Sequence, residues 1–371
     1  MYKTNFLIFA YLIIVLFASC GQKKKDTLSQ SKMSSELTIS AKWSEDKANM
    51  WWKSKPWLRG ANFNPSTAIN QLEFWQEDSF DPETIDRELG WAENIGLNCM
   101  RVYLHHVAWE VDNSGFKKRI STYLEIANKH NIMTIFVFFD DCWNANYKAG
   151  KQPDPKPGIH NSGWVRDPGD LLFTSDNLMP ILETYVKDIL ETFKNDERII
   201  LWDLYNEPGN SGYKNKSLPL LKNVFSWARS VSPEQPLTSG IWDKSLIDLN
   251  KFQIENSDII TYHNYSDEIL HQRAIDSLKI YNRPMICTEY MARKHNSLFS
   301  NIMPILKKQN IGAINWGLVA GKSNTKYAWD EPIPDGSDPE LWFHDIFHKD
   351  GTPYKQGEVN VIKELCLIQA K

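Results

Sequence analysis

The chain has 371 residues, of which 42% are hydrophobic and 24% charged. That balance suits a globular protein with a sizeable core and excludes a wholly disordered, collagen-like or coiled-coil chain. Lys and Arg number 42 against 46 acidic side chains, a formal charge of −4. No cationic excess is present to neutralise a phosphate backbone, so nucleic acid is not an expected partner.

The N-terminus reads as a lipoprotein-type signal peptide over residues 1–20. Lys3 gives a positive start, 6–17 is an apolar run interrupted only by the hydroxyl of Tyr11, and Ala18-Ser19-Cys20 ends on a cysteine suited to lipidation. The run is too short to span a bilayer as a permanent helix. An ordinary cleaved signal is the alternative, and both readings predict an exported chain that meets a membrane only through a lipid. Residues 21–42 are rich in Lys, Ser, Gln and Thr and read as a flexible tether, leaving 43–371 as the folded domain. The remaining cysteines, Cys99, Cys142, Cys287 and Cys366, show neither a CxxC pair nor zinc spacing with histidine, so no metal, cofactor or disulfide framework is expected.

From residue 57 the chain alternates short β-rich runs with helical patterns. The runs are 57–62, 97–104, 132–139, 199–205, 236–241, 258–263, 284–289 and 312–318. Several are almost continuously apolar, as strands covered on both faces are. Between them, Asp81-Pro82 opens a helix with Ile85, Leu89, Ala92 and Ile95 on one face. Leu178, Leu182, Tyr185, Ile189 and Phe193 mark another, and 359–367 reads as the last. Eight such units predict a single (β/α)8 barrel of the α/β class; a doubly wound sheet would show a Gly-rich phosphate loop after its first strand, and only Gly60 lies there. The connections 140–176 and 319–355 are longer than the fold requires, which marks them as functional loops.

On this fold, chemistry sits at the C-terminal strand ends. Read in order, those ends are Arg101, Asp140-Asp141, Asn206-Glu207, His263 with Tyr265, Glu289 and Trp316. Strands 4 and 7 face each other across an eight-membered ring, so Glu207 and Glu289 can enter one pocket from opposite sides. Two opposed carboxyls about 5–5.5 Å apart are the apparatus of retaining glycoside hydrolysis.

These residues carry a resemblance. From Trp57 to Leu367 the chain is similar to family 5 glycoside hydrolases, cellulase- and mannanase-like barrels of the retaining clan. Leu204-Tyr205-Asn206-Glu207-Pro208 resembles the family's Asn-Glu-Pro signature. The resemblance implies that Glu207 is the acid/base, that Asn206 bonds the sugar 2-hydroxyl and that Glu289, in Thr288-Glu289-Tyr290, is the nucleophile. It further implies that Tyr265, in His263-Asn264-Tyr265, steadies the nucleophile, that Arg101 keeps it ionised and that Trp316 lies under the sugar. At strand 3, where many members carry a histidine, this chain has Asp140-Asp141.

Asn62, followed by Phe63-Asn64-Pro65-Ser66-Thr67, and Trp75 combine amides, hydroxyls and aromatic faces in the way sugar recognition requires. Both are expected to face substrate, as is Trp143 in the strand 3 loop, with Trp164 and Trp329 as further subsite candidates. Trp51-Trp52 are expected to cover the barrel floor. Adjacent side chains on a strand point to opposite faces, so only one of His105 and His106 can look inward. His105 is taken as a polar rim residue facing substrate.

The sequence therefore predicts a retaining β-glycosidase acting on an oligo- or polysaccharide. The alternatives are a transglycosylase on the same site, a non-catalytic glycan-binding lipoprotein and, most remote, a metal-dependent hydrolase.

Overall fold

The computed structural model describes residues 41–367; the signal segment with Cys20 and nearly all of the tether lie outside the described residues. Eight strands alternate with helices: β1 (Arg59–Asn62), β2 (Cys99–Tyr103), β3 (Met133–Asp140), β4 (Ile199–Asn206), β5 (Leu237–Thr238), β6 (Ile260–His263), β7 (Met285–Glu289) and β8 (Gly312–Asn315). Each falls inside or beside an expected run. The ladders are parallel, in the order β5-β4-β3-β2-β1-β8-β7-β6. Ile241 joins the two ends: its N–H donates to Thr261 O at 3.0 Å and its carbonyl accepts from His263 N at 2.9 Å. The result is the expected (β/α)8 barrel. β5 is shorter than 236–241 because the following residues bond outside the ladder. Ser239 Oγ donates to Tyr205 O at 2.8 Å, and Gly240 O accepts from Gln253 Nε2 at 2.6 Å.

The alternation along β2 shows how the strands divide their side chains. Met100 and Val102 pack outward into the layer shared with the helices, while Cys99 belongs to a separate apolar cluster with Ile135, Leu201, Ile286 and Ile314. Arg101 and Tyr103 follow Cys99 on the same face at the period of two, so the interior is apolar at the bottom and polar at the top. The helix Glu45–Lys53 adds Trp52 to that lower cluster, with Trp51 packed against it. Trp52 Nε1 donates to Asn310 O at 3.0 Å, fixing the helix across the barrel floor as expected. Outside the strands, the helix Pro82–Asn94 starts at Asp81, whose side chain accepts from Thr84 N, and buries Ile85, Leu89 and Ala92.

Trp75 is a correction. The segment after β1 is not an open loop presenting its side chains: Asn70 caps a helical turn, Gln71–Trp75, by accepting from Glu73 N. That turn drives Trp75 into the layer between strands and helices, where it is fully buried. It stacks on Phe74 at 4.2 Å between ring centroids, meets Phe116, Tyr123 and Phe136, and donates Nε1 to Tyr103 O at 2.7 Å. Trp75 is a core residue, so Trp75→Ala should lower unfolding free energy by about 3–5 kcal/mol. Urea denaturation followed by far-UV circular dichroism measures that loss.

Candidate active site

The carboxyl ends of the strands meet at a cavity of about 650 Å³. Glu289, ending β7, is nearly buried and held at both oxygens. Arg101 Nη1 at 2.8 Å and the Tyr103 hydroxyl at 3.0 Å donate to Oε1, and the Tyr265 hydroxyl at 2.7 Å donates to Oε2. Arg101 is itself fully buried, a position a guanidinium tolerates only when paired and hydrogen-bonded. Its Nη2 lies 2.8 Å from Asp203 Oδ2 and 2.6 Å from Asn206 Oδ1, and its Nη1 lies 2.8 Å from Asn62 Oδ1. Burial pushes the Asp203 carboxyl up from its ordinary value, and the Arg101 charge only partly restores it.

Glu207 follows β4 with a left-handed backbone, φ 43°, a conformation a non-glycine residue keeps only where its surroundings impose it. Its Oε1 lies 2.8 Å from His263 Nδ1, while Oε2 accepts from Cys142 Sγ at 3.2 Å and from Asn210 Nδ2. Burial alone would raise this carboxyl. The contacts with His263, Cys142 and Asn210 outweigh it and hold Glu207 below the usual range. An oxygen of Glu207, an oxygen of Glu289 and a ring nitrogen of His263 lie within 4.8 Å of one another. The two carboxyls thus confront each other across the mouth with different surroundings.

Asn206 is fixed at both ends of its amide, through Arg101 and through Asp140 Oδ1 at 2.9 Å. Asn206, Tyr265, Trp316 and Trp143 line the cavity, as do Trp164 and Trp329. Arg101 and His263 do not line it; they lie beneath it, touching the carboxyls. Asn62 is a further correction. It is buried behind the site, with Nδ2 on Thr288 O and Asn315 O and Oδ1 on Arg101, so its amide orients the arginine and is not presented to a ligand.

His105 is also corrected. The chain turns helical there: His105 caps the helix His106–Val111 by accepting from Val107 N, and its Nε2 lies 3.2 Å from Arg166 O. Strand alternation does not apply, and both imidazoles stack at 5.2 Å beside Asp167. Burial pushes His105 down to about 4, so the ring is neutral. His105, His106 and Asp167 have the proximity of a metal-ligand set. Their atoms are already engaged with one another and with backbone, and the trio ties the loop after β3 to the end of β2.

Tyr103, Asp203, Cys142, Asn210, His160 and Trp242 were not singled out from the sequence. Tyr103 was within reach, because it stands two residues from Arg101 on the same face of one strand. Asp203 was likewise within reach, because it stands on β4 two residues after the interior Leu201. Cys142, Asn210, His160 and Trp242 depend on loop paths that no local spacing announces.

Residues 174–311, from the helix before β4 through β7, match the family model described as glycosyl hydrolases family 2, TIM barrel domain. No curated protein matches the chain in sequence. Among solved structures, the endo-β-1,4-mannanase from Thermotoga petrophila superposes with a TM-score of 0.56 at 15% identity, over 85% of this chain and 77% of that one. A variant of GH5_18 from Streptomyces cattleya in complex with Manβ1-4GlcNAc gives 0.59 at 10% identity, over 84% and 80%. The glycoside hydrolase family 5 mannosidase from Rhizomucor miehei gives 0.53 at 14%, over 85% and 93%. These likenesses establish the barrel fold, and they agree with the resemblance carried by the strand ends.

Removing the guanidinium tests the polar centre. Arg101→Met leaves Asp203 and Glu289 buried without their cation and should lower stability by about 3–5 kcal/mol. Protonating a stranded carboxyl removes buried charge, so the deficit should shrink as the pH falls. Chemical denaturation of both proteins across acid and neutral pH reads the difference.

Proposed function

We propose that this protein is a retaining β-glycosidase, with Glu207 as acid/base and Glu289 as nucleophile. The observation that carries the reading is the pair of carboxyls within 4.8 Å, a separation suited to double displacement and too close for an intervening water to attack by inversion. Donors fixing both Glu289 oxygens suit a group that must attack along one line. In the first step Glu289 bonds to the anomeric carbon while the proton of Glu207 passes to the departing glycosidic oxygen. In the second, Glu207 takes a proton from water, the water oxygen bonds to the same carbon and Glu289 departs, so configuration is retained.

The match to a glycoside hydrolase barrel model over the segment containing both glutamates supports the assignment. The mannanase, the mannosidase and the Manβ1-4GlcNAc complex among the structural neighbours favour β-linked glycans, with β-mannosides first to be tried. Trp316, part-exposed and backed by the buried Trp164, gives the cavity an apolar face on which a pyranose ring stacks.

Glu289→Ala should abolish turnover with the fold intact, and Glu207→Gln should slow glycosides with poor leaving groups by about 10²–10⁴-fold. A 2-fluoro glycoside with an activated leaving group should leave a mass-detectable adduct on the peptide containing Glu289. Full activity in either variant, or an adduct elsewhere, refutes the roles.

The pH profile offers a separate check. The alkaline limb of kcat/KM reports the free enzyme's acid, and the His263 contact helps to hold Glu207 low. Deleting the imidazole in His263→Ala should let the Glu207 carboxyl rise and move that limb to higher pH. A shift to lower pH, or none, contradicts the assignment of Glu207 as the acid.

A further inference from the structure

Resting on the glycosidase reading above, we propose that the site accepts only the non-reducing terminal sugar of a β-linked oligosaccharide and releases it as a monosaccharide. The geometry points to a cleft that is blind on the glycone side.

The blind end is built by the long loops after β3 and β8, which are bonded to each other. Asn161 N donates to Ser323 O at 2.9 Å, Ile333 N donates to Gly158 O at 2.9 Å, and Asn324 Nδ2 donates to Lys156 O at 2.9 Å. His160 Nδ1 lies 2.8 Å from Tyr327 O. In the ring, β1 and β2 stand between β8 and β3, and the joined loops cross that side of the mouth, with Trp329 reaching on to Tyr265 after β6 at 4.9 Å between ring centroids. The segment after β1 is bound to the arch from below. Asn70 Nδ2 donates to Gly163 O at 2.8 Å, Gln71 Nε2 donates to Val165 O at 3.0 Å, and Lys322 N donates to Ser66 O at 3.0 Å. At Gly321 a Cβ atom would stand 2.4 Å from Ser66 Cα, so the two segments meet without a crevice.

Space follows the same plan. The catalytic cavity is lined from the segments after β3 to β6, from the end of β7 and from the segment after β8, with no residue from the segments after β1 or β2. On the β1 side of Trp316 the remaining pocket measures about 20 Å³, between Asn62–Asn64 and Gly317–Val319. That volume admits a water and not a second pyranose.

The direction of the chain comes from the two carboxyls. Glu207 gives its proton to the leaving oxygen, so the aglycone lies on its side, where Asn210, Ser211 and Trp242 border the cavity. Trp242 donates its Nε1 to Pro208 O at 3.1 Å, which fixes its ring at that border for a following sugar to stack on. The glycone lies over Glu289 and Trp316, and beyond it stand Trp143, His160 and Trp329. His160 lies 5.2 Å from Trp143 and 6.2 Å from Trp329 between ring centroids, bridging the two loops across the closed end. One sugar fits before the wall, and the rest of the chain leaves over Trp242.

The test uses the full chain with β-1,4-linked oligosaccharides of mannose, glucose and xylose, labelled at the reducing end and supplied in graded lengths, together with aryl β-glycosides. The expected result is a labelled ladder that shortens one unit at a time, with monosaccharide as the sole unlabelled product. Masking the terminal sugar with a cyclic acetal should abolish turnover. Unlabelled disaccharides or longer fragments, or undiminished cleavage of the masked chains, overturn this proposal while leaving the glycosidase reading intact. No turnover of any oligosaccharide or aryl glycoside overturns both.

Discussion

One buried guanidinium organises the mouth of this barrel. Arg101 has no access to solvent, and its nitrogens reach Asn62 on β1, Tyr103 on its own strand, Asp203 and Asn206 on β4 and Glu289 on β7. Inside a protein such a charge is tolerable only with every donor satisfied and counter-charge beside it. That requirement fixes the side chains of strands on opposite sides of the ring relative to one another. The consequence is functional: the carboxyl of Glu289 and the amide of Asn206 are oriented by the same group. The polar layer sits directly on the apolar cluster of Cys99, Ile135, Leu201, Ile286 and Ile314, which gives the arginine no water from below.

Around this fixed centre the two glutamates have different freedoms. Glu289 accepts from the buried Arg101 and Tyr103 and from Tyr265, which is part-exposed at the cavity wall. Glu207 sits on a strained turn and is gripped by a histidine, a thiol and an amide from three different segments. That grip holds Glu207 low, as suits a carboxylate. The acid role proposed for Glu207 therefore depends on substrate: a glycosidic oxygen placed against it would supply an acceptor for a carboxyl proton, and exclusion of water would strengthen the burial that pushes the group up.

Much of this was legible in the sequence because a barrel writes its plan into strands. The apolar runs, the residues that end them and their order around the ring are local features, and they located Glu207, Glu289, Arg101, Tyr265 and Trp316 at one mouth. Two readings failed because a connecting segment is helical where its side chains were read as presented to the site. His105 lies where the chain turns helical straight after β2, and Trp75 ends a helical turn, Gln71–Trp75, within the segment that follows β1; a few helical residues reverse which way a side chain faces. Asn62 failed differently. It ends β1 beside the site as its position suggested, but the buried arginine claims its amide. Cys142, Asn210 and His160 reach the site through loops folded back by contacts distant in sequence, which no periodicity encodes.

The aspartate pair ending strand 3, where a histidine was the familiar choice, joins the catalytic centre to the wall. Neighbours on a strand face opposite ways, and the two carboxyls take opposite tasks. Asp140 accepts from Asn206 Nδ2 at 2.9 Å and from Trp164 Nε1 at 2.7 Å, so it holds an amide of the centre and an indole of the wall together. Asp141 accepts from Gly209 N and the Tyr205 hydroxyl, each at 2.7 Å, and from Ser217, pinning the turn that presents Glu207. Burial pushes the first to about 6 and the second to about 7, so both are poised near neutrality. Asp140 also pairs backbone with Asp167, whose carboxyl binds the His106 backbone at 2.8 Å. The loop after β3 is thus clamped at its departure and at its return, which is what allows a long connection to act as a rigid wall. An imidazole in place of Asp140 cannot accept from both Asn206 and Trp164, because a neutral ring has one acceptor nitrogen. The carboxylate is therefore the element that couples the position of Asn206, beside Glu207, to the Trp164 side of the joined loops.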